Sequence, residues 1–237
     1  MILTFRRLEQ KYLLSASECE LVKNAISGHL AVDEYGETTI QSLYYDTPSA
    51  LLIRTSNEKP IYKEKVRTRA YGLVKESDRV FLELKKKYDG VVYKRRIALT
   101  EKQTIEFFKD GVPLPPSQVA SEITYTNQFY GGLKPSMMML YDRTAYYALD
   151  GSDLRITFDK NVRFRDTDLN LHTSLDGTLI TKPDQVIMEI KSCYGIPLWL
   201  TRFLSENAIY KTSFSKYGTA YNMMVSKKNF KDVQQEN

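Results

Sequence analysis

The segment from residue 63 to residue 69 alternates cations with other residues, and it is the strongest constraint on the fold. Lys63, Lys65, Arg67 and Arg69 are each separated by a single residue. Successive side chains of a β-strand point to opposite faces, so this pattern places all four cations on one face, about 7 Å apart. Such a face is either exposed to solvent, where salt screens its charges, or it binds an anion. For this strand alone, both interpretations stay open.

A predicted hairpin supplies a second charged face. Residues 80–98 contain two β-rich runs joined by an Asp-Gly pair at positions 89 and 90, which favours a type I′ turn. A two-residue loop places Lys85 opposite Lys94 and Glu83 opposite Arg96, all on the same face. Like charges directly opposite each other are destabilising, and a bound polyanion would offset that repulsion.

Other strands repeat the pattern. They are predicted at residues 5–14, 40–45, 137–147, 154–164 and 186–192. The first of them places Glu9 and Lys11 on one face, and the last places Glu189 and Lys191 on one face. Each therefore combines a carboxylate with a cation on its polar side.

The loop between the strands at 137–147 and 154–164 decides where their charges lie. A two-residue turn would put Arg143 on the face opposite Asp159 and Arg155. A longer loop with Gly151 in a bulge instead brings Arg143, Arg155 and Asp159 to one face, together with Tyr141. We prefer the second arrangement.

Helix signals separate these strands. Ser15 with Glu18, and Thr100 with Gln103, form capping boxes at two helix starts. Further helices are predicted with Asp46 or Thr47 as N-cap and Pro48 at the first helical position, after Ser117, from Pro197, and over residues 215–226. These helices have apolar faces that need a surface to cover.

The charged faces determine the predicted architecture. The helices cover the apolar side of the sheet, which leaves the charged side to line a cavity. Burying so many cations without partners would cost several kcal/mol each, so this cavity must be wet and hold counter-anions. We predict an α+β protein of one domain over residues 1–237, with an antiparallel closed β-barrel and helices packed outside.

Composition limits the function classes. Lys and Arg outnumber Asp and Glu by 34 to 29, which is less basic than a dedicated nucleic-acid binder. Cys19 and Cys193 lie far apart in the sequence, and the chain does not start with the apolar stretch of a secretory signal. We therefore expect reduced thiols and a cytoplasmic location. No apolar run reaches the roughly 18–20 residues of a membrane span. We therefore expect no nucleic-acid partner and no membrane span in this chain.

Eight short segments follow one another in a fixed order. They are Glu9-Gln-Lys11-Tyr12, Lys65-Val-Arg67-Thr-Arg69, Glu83-Leu-Lys85, Lys94-Arg-Arg96, Tyr141-Asp-Arg143-Thr-Ala, Leu154-Arg155-Ile-Thr-Phe-Asp159, Met188-Glu189-Ile-Lys191 and Ser215-Lys216-Tyr217. Together they resemble the VTC-type polyphosphate polymerase domain, a branch of the triphosphate tunnel (CYTH-like) superfamily. This resemblance covers nearly the whole chain and implies a barrel that binds ATP or polyphosphate with a divalent cation, Mn²⁺ or Mg²⁺.

The resemblance also implies roles for individual residues. The phosphate or nucleotide ligands would be Lys11, Lys65, Arg67, Arg69, Lys85, Lys94, Arg96, Tyr141, Arg143, Arg155, Lys191, Ser215 and Lys216. Among these, Arg67, Arg143 and Lys216 would be catalytic. The metal ligand would be Glu189, with Glu9, Glu83 and Asp159 as further candidates. The hydrolase branch begins Glu-x-Glu-x-Lys, whereas this chain has arginine at position 7 before Glu9 and Lys11. The missing carboxylate fits the polymerase branch better.

Three functions are compatible with these patterns. The first is a polymerase that transfers the γ-phosphate of ATP to a growing inorganic polyphosphate chain. The second is a tripolyphosphate or nucleoside triphosphate hydrolase of the same fold, and the third is a non-catalytic polyphosphate-binding module. We expect ATP and polyphosphate as partners, and the sequence leaves a membrane-associated partner open.

Overall fold

The structure is a computed structural model that describes residues 8–235, with side chains described for residues 8–226. Its strands are β1 Leu8–Leu14, β2 Leu30–Asp46, β3 Tyr62–Tyr71, β4 Arg79–Tyr88, β5 Val91–Thr100, β6 Lys134–Ala148, β7 Arg155–Arg165, β8 Thr178–Leu179 and β9 Val186–Ser192. Its helices are α1 Ala16–Ile26, α2 Leu51–Asn57, α3 Glu101–Asp110, α4 Gln118–Phe129, α5 Leu198–Glu206 and α6 Lys216–Gln235. Residues 5–7 of the predicted first strand lie outside the described residues.

The strands form one nine-stranded sheet. Their order is β1-β9-β7-β6-β2-β3-β4-β5, and β8 pairs with β7. The α+β class with an antiparallel sheet is therefore confirmed. The predicted closure is not observed, because β1 and β5 end the order and no pairing joins them in the described chain. Outside the named strands, the Thr212 N–H donates to the Lys11 carbonyl of β1 at 2.7 Å.

The described chain divides into two compact units built from interleaved segments. The first unit comprises the described parts of Met1–Thr39, Tyr141–Val162 and Thr181–Ser215, and the second comprises those of Ile40–Leu140, Arg163–Ile180 and Lys216–Asn237. That residues 1–237 act as one domain stays a prediction. No described helix combines the length and the apolar character that crossing a membrane requires.

Each unit has its own apolar core. In the first unit, Val22 of α1 and Leu200 of α5 pack with Ile156 and Met188 of the sheet, and all four are fully buried. In the second unit, the core combines apolar side chains of β3 and β4 with those of α3 and α4, namely Val66, Leu82, Leu84, Phe107 and Ile123. In both units, helices thus cover the apolar face of the sheet, as the sequence predicts.

The β4–β5 hairpin follows its sequence closely. Asp89 and Gly90 have φ values of 42° and 80°, as a type I′ turn requires at both central positions. The register places Lys85 opposite Lys94, and Glu83 opposite Arg96. The predicted hairpin and its register are confirmed.

Helix starts were predicted with mixed success. Both capping boxes are present, at Ser15 before α1 and at Thr100 before α3. The prediction for α2 was wrong by three residues, since α2 begins at Leu51 rather than at Pro48. The Asp46 carboxylate accepts hydrogen bonds from the N–H groups of the second and third residues of α2, at 2.8 and 3.0 Å. Asp46 thus provides hydrogen-bond acceptors for free N–H groups in the first turn of α2, although it is not the residue next to the helix.

Candidate phosphate-binding site

One buried carboxylate organises the charged face of the second unit. Glu83 is only 1% exposed, and it binds three cations that we call, together with it, the Glu83 cluster: Arg67, Lys94 and Arg96. Arg67 Nε donates to Glu83 Oε2 at 2.9 Å, and Arg96 Nε donates to Oε1 at 2.7 Å. The Lys94 ammonium group lies 2.7 Å from the same Oε1.

Strand register extends this cluster into rows of charge. Arg67, Glu83 and Arg96 form one row across β3, β4 and β5. Lys65, Lys85 and Lys94 form the next row, in which every member is a cation. Arg69 lies on the same face of β3, two residues beyond Arg67, and is 9% exposed. These two rows and Arg69 together hold six cationic side chains and one carboxylate, which is a large local excess of positive charge.

Tyr44 joins this site although no sequence pattern indicated it. It is the cross-strand partner of Arg67, and its hydroxyl oxygen accepts a hydrogen bond from Arg67 Nη1 at 2.9 Å. Burial alone would raise the pKa of Tyr44, but the charges of Arg67, Arg69 and Lys85 outweigh it and lower that pKa. All residues from Ile40 to Asp46 are buried, on both faces of the strand. The sequence of this segment therefore shows no alternation of polar and apolar residues that would identify Tyr44 as a site residue.

The protonation states of the Glu83 cluster follow from its geometry. Burial would raise the pKa of Glu83, yet the charges of Arg67 and Arg69 and the hydrogen bond from Lys94 hold it well below its usual range. Burial lowers the pKa of Lys94 to about 8, although the Glu83 carboxylate opposes that change. Glu83 is therefore ionised at neutral pH. Lys94 loses its proton about one pH unit above neutrality.

Titration of Lys94 predicts a pH-dependent affinity for anions. Only the protonated amine attracts phosphate, and with a pKa near 8 roughly nine-tenths of that form is lost between pH 7 and pH 9, so the affinity for tripolyphosphate should fall by up to about tenfold. Glu83, whose pKa is lowered, and Arg96, whose pKa is raised, keep their charge over this range. Lys94→Arg should abolish this pH dependence of the affinity. Calorimetric titration of both proteins with tripolyphosphate at pH 7 and pH 9 measures it. Equal pH profiles of the two proteins would contradict it.

A second buried carboxylate organises the charged face of the first unit. We call it and its neighbours the Glu189 cluster: Glu9, Lys11, Arg143, Glu189 and Lys191. Lys191 Nζ donates to Glu189 Oε2 at 2.6 Å, and Lys11 Nζ lies 3.7 Å from Oε1. Arg143 Nη2 lies 3.9 Å from Oε2, and Lys11 Nζ lies 3.6 Å from Glu9 Oε1. Register explains these contacts, since Lys11 pairs with Glu189 and Glu9 with Lys191.

The electrostatics of Glu189 differ from those of Glu83. Burial would raise the pKa of Glu189, but its hydrogen-bonding interaction with Glu9 and the charges of Lys191 and Lys11 hold the pKa well below its usual range. The Lys11 ammonium group lies within 3.7 Å of both Glu9 and Glu189, so two carboxylates share one cation here, whereas Glu83 binds three cations. This pairing makes the Glu189 cluster the more suitable place for a divalent cation.

Arg143 and Asp159 form a tight ion pair in the first unit. Arg143 Nε donates to Asp159 Oδ1 at 2.6 Å, and Nη2 donates to Oδ2 at 2.8 Å. Asp159 is fully buried, and Gly151 in the preceding loop has a φ of 76°. The two side chains therefore share a face, as the arrangement with the longer loop predicts. The Arg143 guanidinium also lies 5.1 Å from the centre of the Tyr141 ring.

The remaining predicted residues lie near these clusters within their own units. Arg155 is exposed and pairs across the sheet with Lys191. Ser215 is exposed and follows Phe214, whose carbonyl accepts from Lys11 Nζ at 3.3 Å. In the second unit, Lys216 begins α6, and the next residue, Tyr217, stacks on Tyr44 with ring centres 4.2 Å apart. Lys65 Nζ lies 5.6 Å from the centre of the Tyr217 ring.

The carboxylates were also tested as metal ligands. Within residues 8–235, no three His, Cys, Asp or Glu side chains are grouped as an all-protein metal site would require. Glu83 is committed to three cations, and both oxygens of Asp159 bind Arg143. Glu189 with Glu9 is a donor pair that fits a hard divalent cation if phosphate oxygens supply further ligands.

Comparisons with known proteins agree with this geometry. The family model of the VTC domain matches residues 6–225. A search among curated protein sequences gave no match.

Two solved structures share the fold. A candidate adenylyl cyclase from Hippeastrum, described as having a dominant triphosphatase activity, is 17% identical with a TM-score of 0.56, over 91% of this chain and 95% of that chain. A candidate adenylate cyclase from Bacillus halodurans is 12% identical with a TM-score of 0.54, over 88% and 93% of the two chains. The chain belongs to the VTC domain family.

Proposed function

We propose that this protein is a polyphosphate polymerase that transfers the γ-phosphate of ATP to a growing inorganic polyphosphate chain. One observation carries the proposal: the two rows and Arg69 bring six cationic side chains to one face of β3, β4 and β5, beside the single carboxylate of Glu83. Like charges that face one another across strands, as in the row of Lys65, Lys85 and Lys94, repel each other, and a polyanion lying along the row would offset that repulsion.

The residue types suit phosphate rather than another anion. Arginine can bind two phosphate oxygens with its planar fork, and lysine supplies a point charge that tolerates many positions along a chain. In the second unit, the proposed ligands are Lys65, Arg67, Arg69, Lys85, Lys94, Arg96 and Lys216. In the first unit, they are Lys11, Tyr141, Arg143, Arg155, Lys191 and Ser215. A repeating polyanion uses such a distributed set better than a single orthophosphate does.

Phosphoryl transfer needs positioning and charge stabilisation more than covalent chemistry by the protein. We assign catalytic roles to Arg67, Arg143 and Lys216. Arg67 is oriented by Glu83 and Tyr44, and Arg143 by Asp159, so both guanidinium groups are held in fixed orientations before substrate binds. Such preorganised donors stabilise charge on transferring phosphate oxygens without reorganising during the reaction.

The proposed metal ligand is Glu189, with Glu9 beside it, and the expected ion is Mn²⁺ or Mg²⁺. When bound, such an ion would neutralise negative charge on phosphate oxygens. Lys191, Lys11 and Arg143 surround Glu189, so a further cation is favourable there only when phosphate is also bound. Glu189 itself orients the two lysines toward the anion.

Product analysis tests the proposal. We expect the purified protein, incubated with ATP and Mn²⁺, to make long chains visible on a polyphosphate-staining gel. Arg67→Ala should lose this product and weaken tripolyphosphate binding by about tenfold or more, because a charge-assisted pair contributes about 1.5–3 kcal/mol. Arg95→Ala is the matched control, since Arg95 pairs with Glu122 at 3.0 Å on the other face of β5 and should keep both properties.

The other products distinguish the alternatives. Release of orthophosphate without chains would identify a triphosphatase, the activity described for the Hippeastrum protein of the same fold. Tripolyphosphate binding without either product would identify a polyphosphate-binding module. Either result would reject the polymerase while retaining the phosphate site.

A further inference from the structure

A second site lies in the second unit, on the face of β3 opposite the basic row. A cavity of about 120 Å³ is lined there by Leu51 and Leu52 of α2, by Tyr62 and Glu64 of β3, and by Tyr130 at the end of α4. Glu64 alternates with Lys63 and Lys65 along the strand, so its side chain belongs to the other face. The phosphate site does not use this cavity.

Glu64 is a buried carboxylate with one oxygen that the structure does not explain. It is only 7% exposed. Its Oε1 accepts a hydrogen bond from the Tyr130 hydroxyl group at 2.8 Å, whereas the buried Oε2 accepts none from any described residue. Leaving a charged oxygen buried without a partner is costly, so a positively charged or hydrogen-bond-donating ligand would stabilise this site.

The nearby lysines are directed elsewhere. Lys63 also lines the cavity, but its ammonium group donates to the Ser56 carbonyl at 3.1 Å. Lys86 is the cross-strand partner of Glu64, yet within the described chain it donates no hydrogen bond to the buried Glu64 Oε2. The cation that would complete Glu64 must therefore come from a ligand.

We propose that this cavity binds an alkylammonium group, with Glu64 as its anion. The leucine walls and the Tyr62 and Tyr130 rings offer an apolar and aromatic surface, which attracts an alkylammonium ion and cannot replace the water shell of a metal ion. About 120 Å³ is more space than a single water needs and suits a compact organic head group.

The two tyrosines of the cavity keep their phenol protons at physiological pH. Burial, followed by the negative charge of Glu64 and a hydrogen-bonding interaction with its carboxylate, raises the pKa of Tyr62 to about 12. Burial, followed by the hydrogen bond to Glu64 and the charge of that carboxylate, raises the pKa of Tyr130. Both phenols therefore stay neutral at physiological pH, and Glu64 supplies the negative charge of the site.

Titration with butylammonium chloride tests this inference, with sodium chloride keeping the ionic strength constant. We expect saturable shifts of the Tyr62 and Tyr130 ring signals in nuclear magnetic resonance spectra. Glu64→Gln should weaken binding by about tenfold or more, because it removes the buried charge. Glu122→Gln, which changes a more exposed carboxylate that pairs with Arg95, is the matched control and should bind like the wild type.

Further measurements keep the test decisive. Tyr62→Ala removes an aromatic wall at a half-exposed position, and it should weaken binding several-fold even if Glu64→Gln does not fold. Glu64→Gln should leave tripolyphosphate affinity unchanged, which separates this site from the phosphate site. Shifts that fail to saturate, or equal affinities of wild type and both cavity variants, would overturn the proposal.

The source of the ammonium group follows from two probes. Spermidine represents a free polyamine, and Nα-acetyl-lysine amide represents a lysine side chain of a protein. Tighter binding of spermidine would assign the site to polyamines, and tighter binding of the lysine derivative would assign it to a protein partner.

Discussion

Replacing Glu83 by glutamine is expected to lower the free energy of unfolding by about 3–5 kcal/mol, because it removes the only anion of a buried ion-pair cluster. Glu83 is 1% exposed and binds Arg67, Lys94 and Arg96. Glutamine keeps the shape and one hydrogen-bond acceptor, but it leaves three cations close together without a counter-charge. Urea unfolding at pH 7, in buffer free of phosphate, measures the difference.

The pH dependence of this effect has a definite sign. The folded-state pKa of Glu83 is lowered, so its contribution is fully present above the unfolded value of about 4.3 and is lost as the pH falls below it. Wild type and Glu83→Gln should therefore converge in stability in acid. Glu122→Gln serves as the control, since an exposed pair such as Glu122 with Arg95 contributes only about 0–1 kcal/mol. Equal losses in the two variants at pH 7 would show that Glu83 is not the organising anion.

The hairpin around Glu83 shows how much the sequence could predict. Its turn residues require positive φ, which fixes the loop length, and the loop length fixes which residues face each other. Because the side-chain period of a strand is two, the same register also assigns every charge to a face. Local chemistry therefore determined both the fold and the charged surface of this segment.

Other features depend on contacts that are distant in sequence. Tyr44 lies in a fully buried stretch of β2, so only its pairing with Arg67 reveals its place in the site. The start of α2 depends on the Asp46 carboxylate reaching past the intervening turn. The isolated bridge to β1 joins Lys11 to Thr212, more than 200 residues later in the chain. No local pattern encodes such pairings.

Glu189 is the residue for which the structure sharpens the functional question most. The sequence places it beside Lys191, and the structure adds Lys11, Arg143 and the carboxyl group of Glu9. Three cations within 4 Å support a structural ion-pair role, whereas the adjacent Glu9 supports a role in holding a divalent cation. The two roles predict different results for Glu189→Gln, which removes the charge of the side chain and keeps its shape.

Glu189→Gln is expected to lose at least about a hundredfold in turnover with ATP and Mn²⁺, because electrostatic stabilisation at a transferring phosphate is commonly worth that much. The variant should still bind tripolyphosphate, since its cations remain, and turnover is compared per folded molecule because a buried ion pair is also lost. Glu101→Gln is the matched control: Glu101 is 2% exposed and accepts hydrogen bonds from the Leu171 N–H and His172, neither of which is an assigned phosphate ligand. It should lose stability while keeping wild-type turnover and Mn²⁺ dependence. If Glu189→Gln behaves in the same way as Glu101→Gln, Glu189 is an ion-pair partner of Lys191 and not a metal ligand.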